Sequence, residues 1–516
     1  MGLKVITTIV FVIYFIKCSI YLLTLFQQNH YDKIKFLKNL KSYYFKKIYQ
    51  YHYYLGLIFL IFAIFIEDIY IITLILLISS FVYINHYVIK LKITKRIIRL
   101  MITVFLLFIT ISILSFKINL LVYLNIVVLP LIIVTASVLN KPIELFINKY
   151  FTIKAVKKLN RIKPVKCAIT GSFGKTSCKN IIKSLISDTY NVYSTPYSYN
   201  TLMGLSKSIN NDLTSSHEIF IMEMGAFKNG EIEEMTKHFK PEIVLITEVG
   251  MQHMSTFKSI KNILNAKFEI TKYLNSKDYL VLNYENPYIR NYDLKDINTT
   301  NIYTYGINYG KYRAKDIEFL ESITKFSIYK DNDLLFTFKM KLLGRHNVLN
   351  VLGSLVMLEA LKEKGICISN DKLRKKVYNL KPFDHRLEYK EQNNFHIYDD
   401  SYSSNVVGFK NACEVIYAQN SVKVLITPGI VDGGYYDKML NQTIANYITK
   451  DFDDICLIEN KSIIYIEEVL KLNNIRYQKF SSFKMAYSYI MSKYNNTKEI
   501  VNILIENDLP DCYLER

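Results

Sequence analysis

The residues with the plainest chemistry stand at Gly171-Ser172-Phe173-Gly174-Lys175-Thr176-Ser177. Ahead of them, Val165–Thr170 reads as a buried strand, and behind them Cys178–Ser187 reads as a helix. Strand, glycine-rich turn, Gly-Lys-Thr and helix together make a loop whose backbone N–H groups close around phosphates. The helix N-terminus adds partial positive charge at the same place. Lys175 has the reach to meet terminal phosphates, and the Thr176 hydroxyl is of the kind that holds Mg²⁺ in such loops. The spacing follows the short form, Thr-Gly-x-x-Gly-Lys-Thr. The expected chemistry is phosphoryl transfer from ATP with Mg²⁺, which depends on alignment and charge cancellation more than on covalent help.

Further polar residues follow at the ends of apolar runs. They are Asn200-Thr201-Leu202-Met203-Gly204; Glu223-Met224-Gly225-Ala226 after a strand from Ile219; Val249-Gly250-Met251-Gln252-His253 after a strand at Ile243–Thr247; and Ala266-Lys267-Phe268-Glu269. Later come Gly344-Arg345-His346-Asn347-Val348-Leu349-Asn350, His385-Arg386-Leu387-Glu388 and Asp399-Asp400-Ser401-Tyr402-Ser403-Ser404-Asn405. Each alone is weak. Seven in order behind a phosphate loop resemble the Mur ligases, the ATP-dependent amide ligases of peptidoglycan synthesis. The chain is most similar to the member that adds D-alanyl-D-alanine.

The resemblance implies an α/β fold with a P-loop central domain and a Rossmann-like C-terminal domain. It implies a two-step reaction in which ATP phosphorylates a carboxylate and an amine then displaces phosphate to leave an amide. By the same resemblance, Lys175, Lys267, His253 and Arg386 form the catalytic set. Gly171, Ser172, Gly174, Lys175, Thr176, Ser177, Asn347, Asn350, Arg386 and Asp400 would surround ATP, with the two asparagines on the base and Arg386 on the γ-phosphate. Thr176, Glu223 and His253 would serve Mg²⁺, although a histidine is an unusual partner for that hard cation. Lys267 falls where the family carries a carbamylated lysine. Asp400 and Tyr402 would approach the nucleotide from a closing C-terminal domain. Glu248 stands where the family often has Asn.

The N-terminal third has a different character. The chain has 516 residues, half of them hydrophobic, and a net charge of +20. The apolar excess lies in the first 140 residues, as five stretches: Val5–Phe26, about Tyr51–Ile66, Ile69–Ile89, Leu100–Phe116 and Ile118–Leu139. A helix needs about 20 residues to cross the hydrocarbon core. The long turns at Asp32–Gln50 and Lys90–Arg99 are lysine- and arginine-rich, whereas Glu67-Asp68 and Lys117 are not. Positive charge stays on the cytoplasmic side. The expectation is an all-α transmembrane domain of about five helices in the cell membrane, with the N-terminus outside and the catalytic domains cytoplasmic. The basic balance is thus a matter of topology, and no stacking or base-reading motif points to nucleic acid. The seven cysteines show no CxxC pair, which fits reduced thiols and excludes a zinc ribbon.

The domains expected are 1–140 (transmembrane), 141–159 (linker), 160–382 (ATP-binding) and 383–516 (C-terminal). The family's soluble members begin with a domain that grips a UDP-sugar, and here membrane helices take its place. The acceptor is therefore a small-molecule or a lipid-linked cell-wall precursor, and the amine an amino acid or dipeptide. Two alternatives stay open: a membrane-bound ligase for another polymer, such as poly-γ-glutamate or a capsule peptide, and a catalytically silent membrane scaffold.

Overall fold

The structure is a computed structural model that describes residues 2–29, 31–40, 91–114, 125, 128–196, 199–251, 254–382, 385–401, 405–431 and 434–507. The chain divides into two compact units, Met1–Tyr150 and Phe151–Arg516.

In the first unit, helix α1 (Gly2–Gln28) packs with α3 (Lys95–Leu114) and α4 (Leu129–Leu139), while α2 (Lys33–Leu40) caps one end. Phe15 of α1 stacks on Phe108 of α3 with ring centroids 4.1 Å apart. Large apolar side chains also point outward, among them Ile9 and Ile13 on α1 and Ile102, Leu106 and Ile113 on α3. Such contiguous exposed apolar surface is rare on a soluble monomer. Two described helical stretches, Phe11–Gln28 and Lys95–Ile113, are long and apolar enough to cross a membrane. A third is possible if α4 and α5 (Lys141–Ile162), bent by 41° at their junction, count as one span. The expected second and third spans lie outside the described residues, as does the start of the fifth. The expected linker at 141–159 is helical throughout, being most of α5.

The second unit contains two sheets. The first has nine strands in the order β2-β3-β1-β4-β5-β6-β7-β8-β9. They are β1 (Val165–Thr170), β2 (Val192–Ser194), β3 (Ile219–Glu223), β4 (Ile243–Ile246), β5 (Tyr279–Asn283), β6 (Asn301–Gly306), β7 (Tyr312–Phe319), β8 (Thr324–Lys330) and β9 (Asp333–Met340). Strands β2 to β7 and β1 run parallel, and β8 and β9 close the edge antiparallel. The strands β3 and β4 are buried at every residue, as the continuous apolar runs of a sheet covered on both faces require. Strands β8 and β9 form a hairpin that turns at Asp331, which sits in the left-handed region at φ 54°.

Helix α6 (Lys175–Ile186) packs one face of this sheet together with α10 (Arg345–Lys362). The other face carries α7 (Leu202–Asn211), α8 (Glu231–Phe239) and α9 (Ile260–Phe268). Strand β1 has β3 on one side and β4 on the other, so chain order reverses at β1. The crevice beyond the carboxyl ends of strands at such a point is where α/β sheets bind ligands.

The second sheet has six strands in the order β10-β11-β15-β12-β13-β14. These are β10 (Glu388–Gln392), β11 (Phe395–Asp400), β12 (Val422–Thr427), β13 (Asp454–Ile458), β14 (Gln478–Phe480) and β15 (Val501–Glu506). All but β10 run parallel. Helix α12 (Val406–Tyr417) follows β11, separated from α10 by the short α11 (Asn370–Tyr378) earlier in the chain.

Candidate functional site

The phosphate loop is shaped by two glycines. Gly174 precedes α6 with φ +81°, and a Cβ there would lie 2.5 Å from Asn350 Oδ1. A side chain there would have to hold this left-handed backbone and push the Asn350 amide aside. Lys175, the first residue of α6, folds back over the loop, and its Nζ donates to the carbonyls of Gly171 (2.7 Å) and Ser172 (3.0 Å). Burial pulls the Lys175 ammonium down to about 8, against the pull of Glu223 and with a further push from Arg386.

Glu223, at the carboxyl end of β3, is 1% exposed and is the hub of the site. Its Oε2 accepts from Thr176 Oγ1 at 2.9 Å and lies 3.3 Å from Lys179 Nζ. Its Oε1 accepts from Asn200 Nδ2 at 3.3 Å. The Thr176 hydroxyl spends its proton on Glu223, so its lone pairs are left for a hard cation, the donor type Mg²⁺ prefers. Lys179 was not among the residues singled out from sequence. It is itself fully buried and also donates to Thr195 O at 2.9 Å. Its signal was its place one turn after Lys175, on a helix face that must pack against the sheet.

Lys267, on α9, is 2% exposed, and burial holds its amine down at about 7, with Lys175 pushing the same way and Glu269 and Glu231 opposing. His346 is likewise kept neutral, down to about 4, by burial and by Arg386. Asn347 spends its amide on Leu343 O at 2.8 Å, whereas Asn350 Oδ1 faces the loop, 3.5 Å from Cys178 Sγ. Lys175, Thr176, Glu223, Lys267, Asn347, Asn350, Arg386 and Asp400 all line one cleft of about 360 Å³ with Ser172, Gly174 and Ser177. His253 and Tyr402 lie outside the described residues.

Asp400 does something the sequence did not suggest. Its Oδ1 accepts from the backbone N–H of Leu387 at 3.0 Å, which ties down the turn that carries Arg386. That turn needs a tie, because His385 (φ 58°) and Leu387 (φ 50°) both sit in the left-handed region. Asp400 is paired across the sheet with Glu506, and both are buried. Burial raises the Asp400 carboxyl to about 7 and Glu506 well above its usual range. Two neighbouring buried carboxyls share protons rather than ionise together. Asp400→Ala should lower turnover about 10- to 100-fold, the effect of losing a charge-assisted hydrogen bond under the arginine. Asp400→Asn, which keeps the acceptor, should restore most of it. A steady-state comparison of the two variants checks this, and equal losses would show that the charge matters rather than the tie.

With this geometry in view, the relatives are informative. The family profile described as the Mur ligase middle domain matches residues 169–358. UDP-N-acetylmuramoyl-tripeptide–D-alanyl-D-alanine ligase of Buchnera aphidicola is 29% identical over 287 residues, which are 54% of this chain and 60% of that protein. The protein of the same name from Borreliella burgdorferi is 29% identical over 301 residues, 57% of this chain and 62% of that one. The chain thus spans about 60% of the length of the curated relatives it matches. Among solved structures, MurF ligase from Thermotoga maritima in complex with ADP gives a TM-score of 0.61 at 22% identity, covering 70% of this chain and 80% of that one. MurF from Acinetobacter baumannii gives 0.62 at 20% identity, covering 70% and 77%. The unit from Phe151 onward therefore has the fold of these ligases, and residues 169–358 within it match the Mur ligase middle domain.

Proposed function

We propose that this chain is an ATP-dependent amide ligase that joins D-alanyl-D-alanine to the terminal carboxyl of a muramoyl-tripeptide precursor, at the cytoplasmic face of a membrane. One observation carries the reading: Lys175, Thr176, Glu223, Lys267 and Arg386, drawn from two domains, line a single cleft at the switch point of a parallel sheet.

A carboxylate is a poor electrophile at neutral pH, and a phosphoryl group on its oxygen supplies the leaving group. In the proposed first step the acceptor carboxylate attacks the γ-phosphorus and ADP departs. Lys175 and Arg386 cancel the charge that spreads over the transferring group. Mg²⁺, when bound, neutralises the triphosphate, and the oxygens of Thr176 and Glu223 would hold it. In the second step the amine attacks the acyl carbon, loses a proton and expels phosphate. Arg386 comes from the second sheet's domain, so the site is complete only when that domain is seated on the first.

Lys267 is suited to modification. With its amine held near neutrality it can add carbon dioxide, R–NH₂ + CO₂ → R–NH–COO⁻ + H⁺. The product exchanges a buried cation for an anion beside Lys175. Added bicarbonate should raise ADP release, and carbon-13-labelled bicarbonate should give a carbamate resonance that Lys267→Arg lacks. No resonance in the parent protein would remove this role. Stability carries a second sign. The folded amine titrates at about 7 and the unfolded one near 10.5. The unfolded chain thus binds more protons between these values, and Lys267's contribution to stability grows as pH rises through that window. Lys267→Met should flatten the pH dependence of the melting temperature there.

The N-terminal unit supports the membrane part of the proposal through its two long apolar helices and their outward-facing isoleucines and leucines. The deciding assay is ADP release by the full chain in detergent, with D-alanyl-D-alanine and either UDP-muramoyl-tripeptide or its lipid-linked counterpart. Turnover with the UDP form would mean ordinary ligase chemistry with an added anchor. Turnover only with the lipid form would mean that the membrane helices replace the sugar-gripping domain. Silence with both would remove the muramoyl acceptor and favour another polymer.

A further inference from the structure

Glu248 is an acid on the cleft wall that the steps above do not use. It follows β4, and its backbone is fixed against the phosphate loop: Phe173 and Glu248 form an antiparallel bridge, and Ser172 N–H donates to Glu248 O. The side chain therefore stands at a set place beside the loop while contributing nothing to holding it. Its carboxyl is half-buried and lines the cleft, and among the described residues it has neither a hydrogen bond nor an ion pair. Burial, with no cation opposing it, raises this carboxyl to about 7.

On one wall of the cleft Thr176 and Asn200 are joined to Glu223 by hydrogen bonds. Glu248 lines the same cleft with Leu349, Asn350 and Tyr305, the last close enough to feel its charge, and no cation offsets the burial of the Glu248 carboxyl. An acid without a cation repels phosphates, so a nucleotide seated on the loop turns its uncharged end this way. Leu349 offers an apolar surface for a ring face, and Asn350 offers amide groups for its edge.

We propose that Glu248 reads the base of the nucleotide, its carboxylate accepting N–H from the exocyclic 6-amino group of a purine, so that the site takes adenosine nucleotides and rejects their 6-oxo counterparts. A carboxylate placed against a 6-oxo group meets a second acceptor, and two acceptors left facing each other give strong discrimination. The proposal rests on the reading of the loop as an ATP site, and its test separates the two.

The experiment is direct binding of ATP and ITP, with Mg²⁺, to the full chain in detergent, for the parent protein, Glu248→Gln and Glu248→Ala. The tie to the loop is through the main chain, so both variants should fold, and a melting curve checks that they do. The parent should bind ATP about 10- to 100-fold more tightly than ITP. Glu248→Gln, whose amide can donate to a 6-oxo group, should bring ITP up toward ATP, and Glu248→Ala should narrow the ratio by weakening ATP. A parent that binds both nucleotides equally, or a ratio that survives in Glu248→Ala, would overturn the role of Glu248 while leaving the loop's role standing. Failure of both nucleotides to bind the parent would overturn both.

Discussion

Lys175→Ala should reduce acceptor-dependent ADP release by about a thousandfold or more while leaving the melting temperature close to that of the parent. The two halves of this expectation have separate causes. In the free loop the Lys175 ammonium rests on two neutral carbonyls, those of Gly171 and Ser172. When a triphosphate enters, the ammonium exchanges these for anionic oxygens, and charge-assisted bonds are about twice as strong as neutral ones. The gain is greatest as charge develops on the transferring group, so the loss falls on turnover more than on ATP affinity. Burial already disfavours this cation in the folded chain, as its fall to about 8 shows, so removing it costs the fold little. The same value gives a pH test. Above about 8 the amine loses its proton, and affinity for Mg²⁺-ATP should weaken in the parent but stay flat in the alanine variant. A Lys175→Ala protein as active as the parent would sink the whole assignment.

The sequence made the nucleotide half of this site readable because that half is built from local signals. A loop between a strand and a helix keeps Gly171, Gly174, Lys175 and Thr176 within one turn of chain, and the structure keeps them so. The apolar runs at β3 and β4 are continuous, and continuous runs of that kind read directly as covered parallel strands. What could not be read is pairing across the sheet. Asp400 was expected beside the nucleotide because its motif resembles the family's. That it holds the Arg386 turn depends on Leu387 adopting a left-handed conformation, and that it has Glu506 for a neighbour depends on the register of β11 with β15, a separation of more than a hundred residues. Lys179 was overlooked for a related reason. A lysine on an otherwise apolar helix face reads as a solvated end, unless the acid it meets, here Glu223 on another strand, is known to be there.

That overlooked pair gives the other large expected effect. Glu223→Ala should abolish turnover and also destabilise the fold by about 3–5 kcal/mol, the usual cost of leaving one partner of a buried ion pair without the other. Lys179 and Glu223 are 1% exposed each, so water does not make up the loss. Thr195 O, 2.9 Å from Lys179 Nζ, can accept a bond but cannot neutralise a charge. Burial already lowers the Lys179 ammonium and Glu223 alone is set against it, so in the variant the amine should give up its proton and the lost stability should return in part as pH rises. Glu223 has two tasks, holding Lys179 and orienting the Thr176 hydroxyl, and one substitution removes both. The double variant Glu223→Ala/Lys179→Met separates them. With neither member of the pair left it should melt near the parent, since replacing both members of a buried pair by apolar groups is often neutral. It should nonetheless remain inactive, because Thr176 has lost the acceptor that aims its lone pairs at the metal. A double variant that regains stability and turnover together would show that Glu223 serves the fold alone, and the metal would then have to be held by other oxygens.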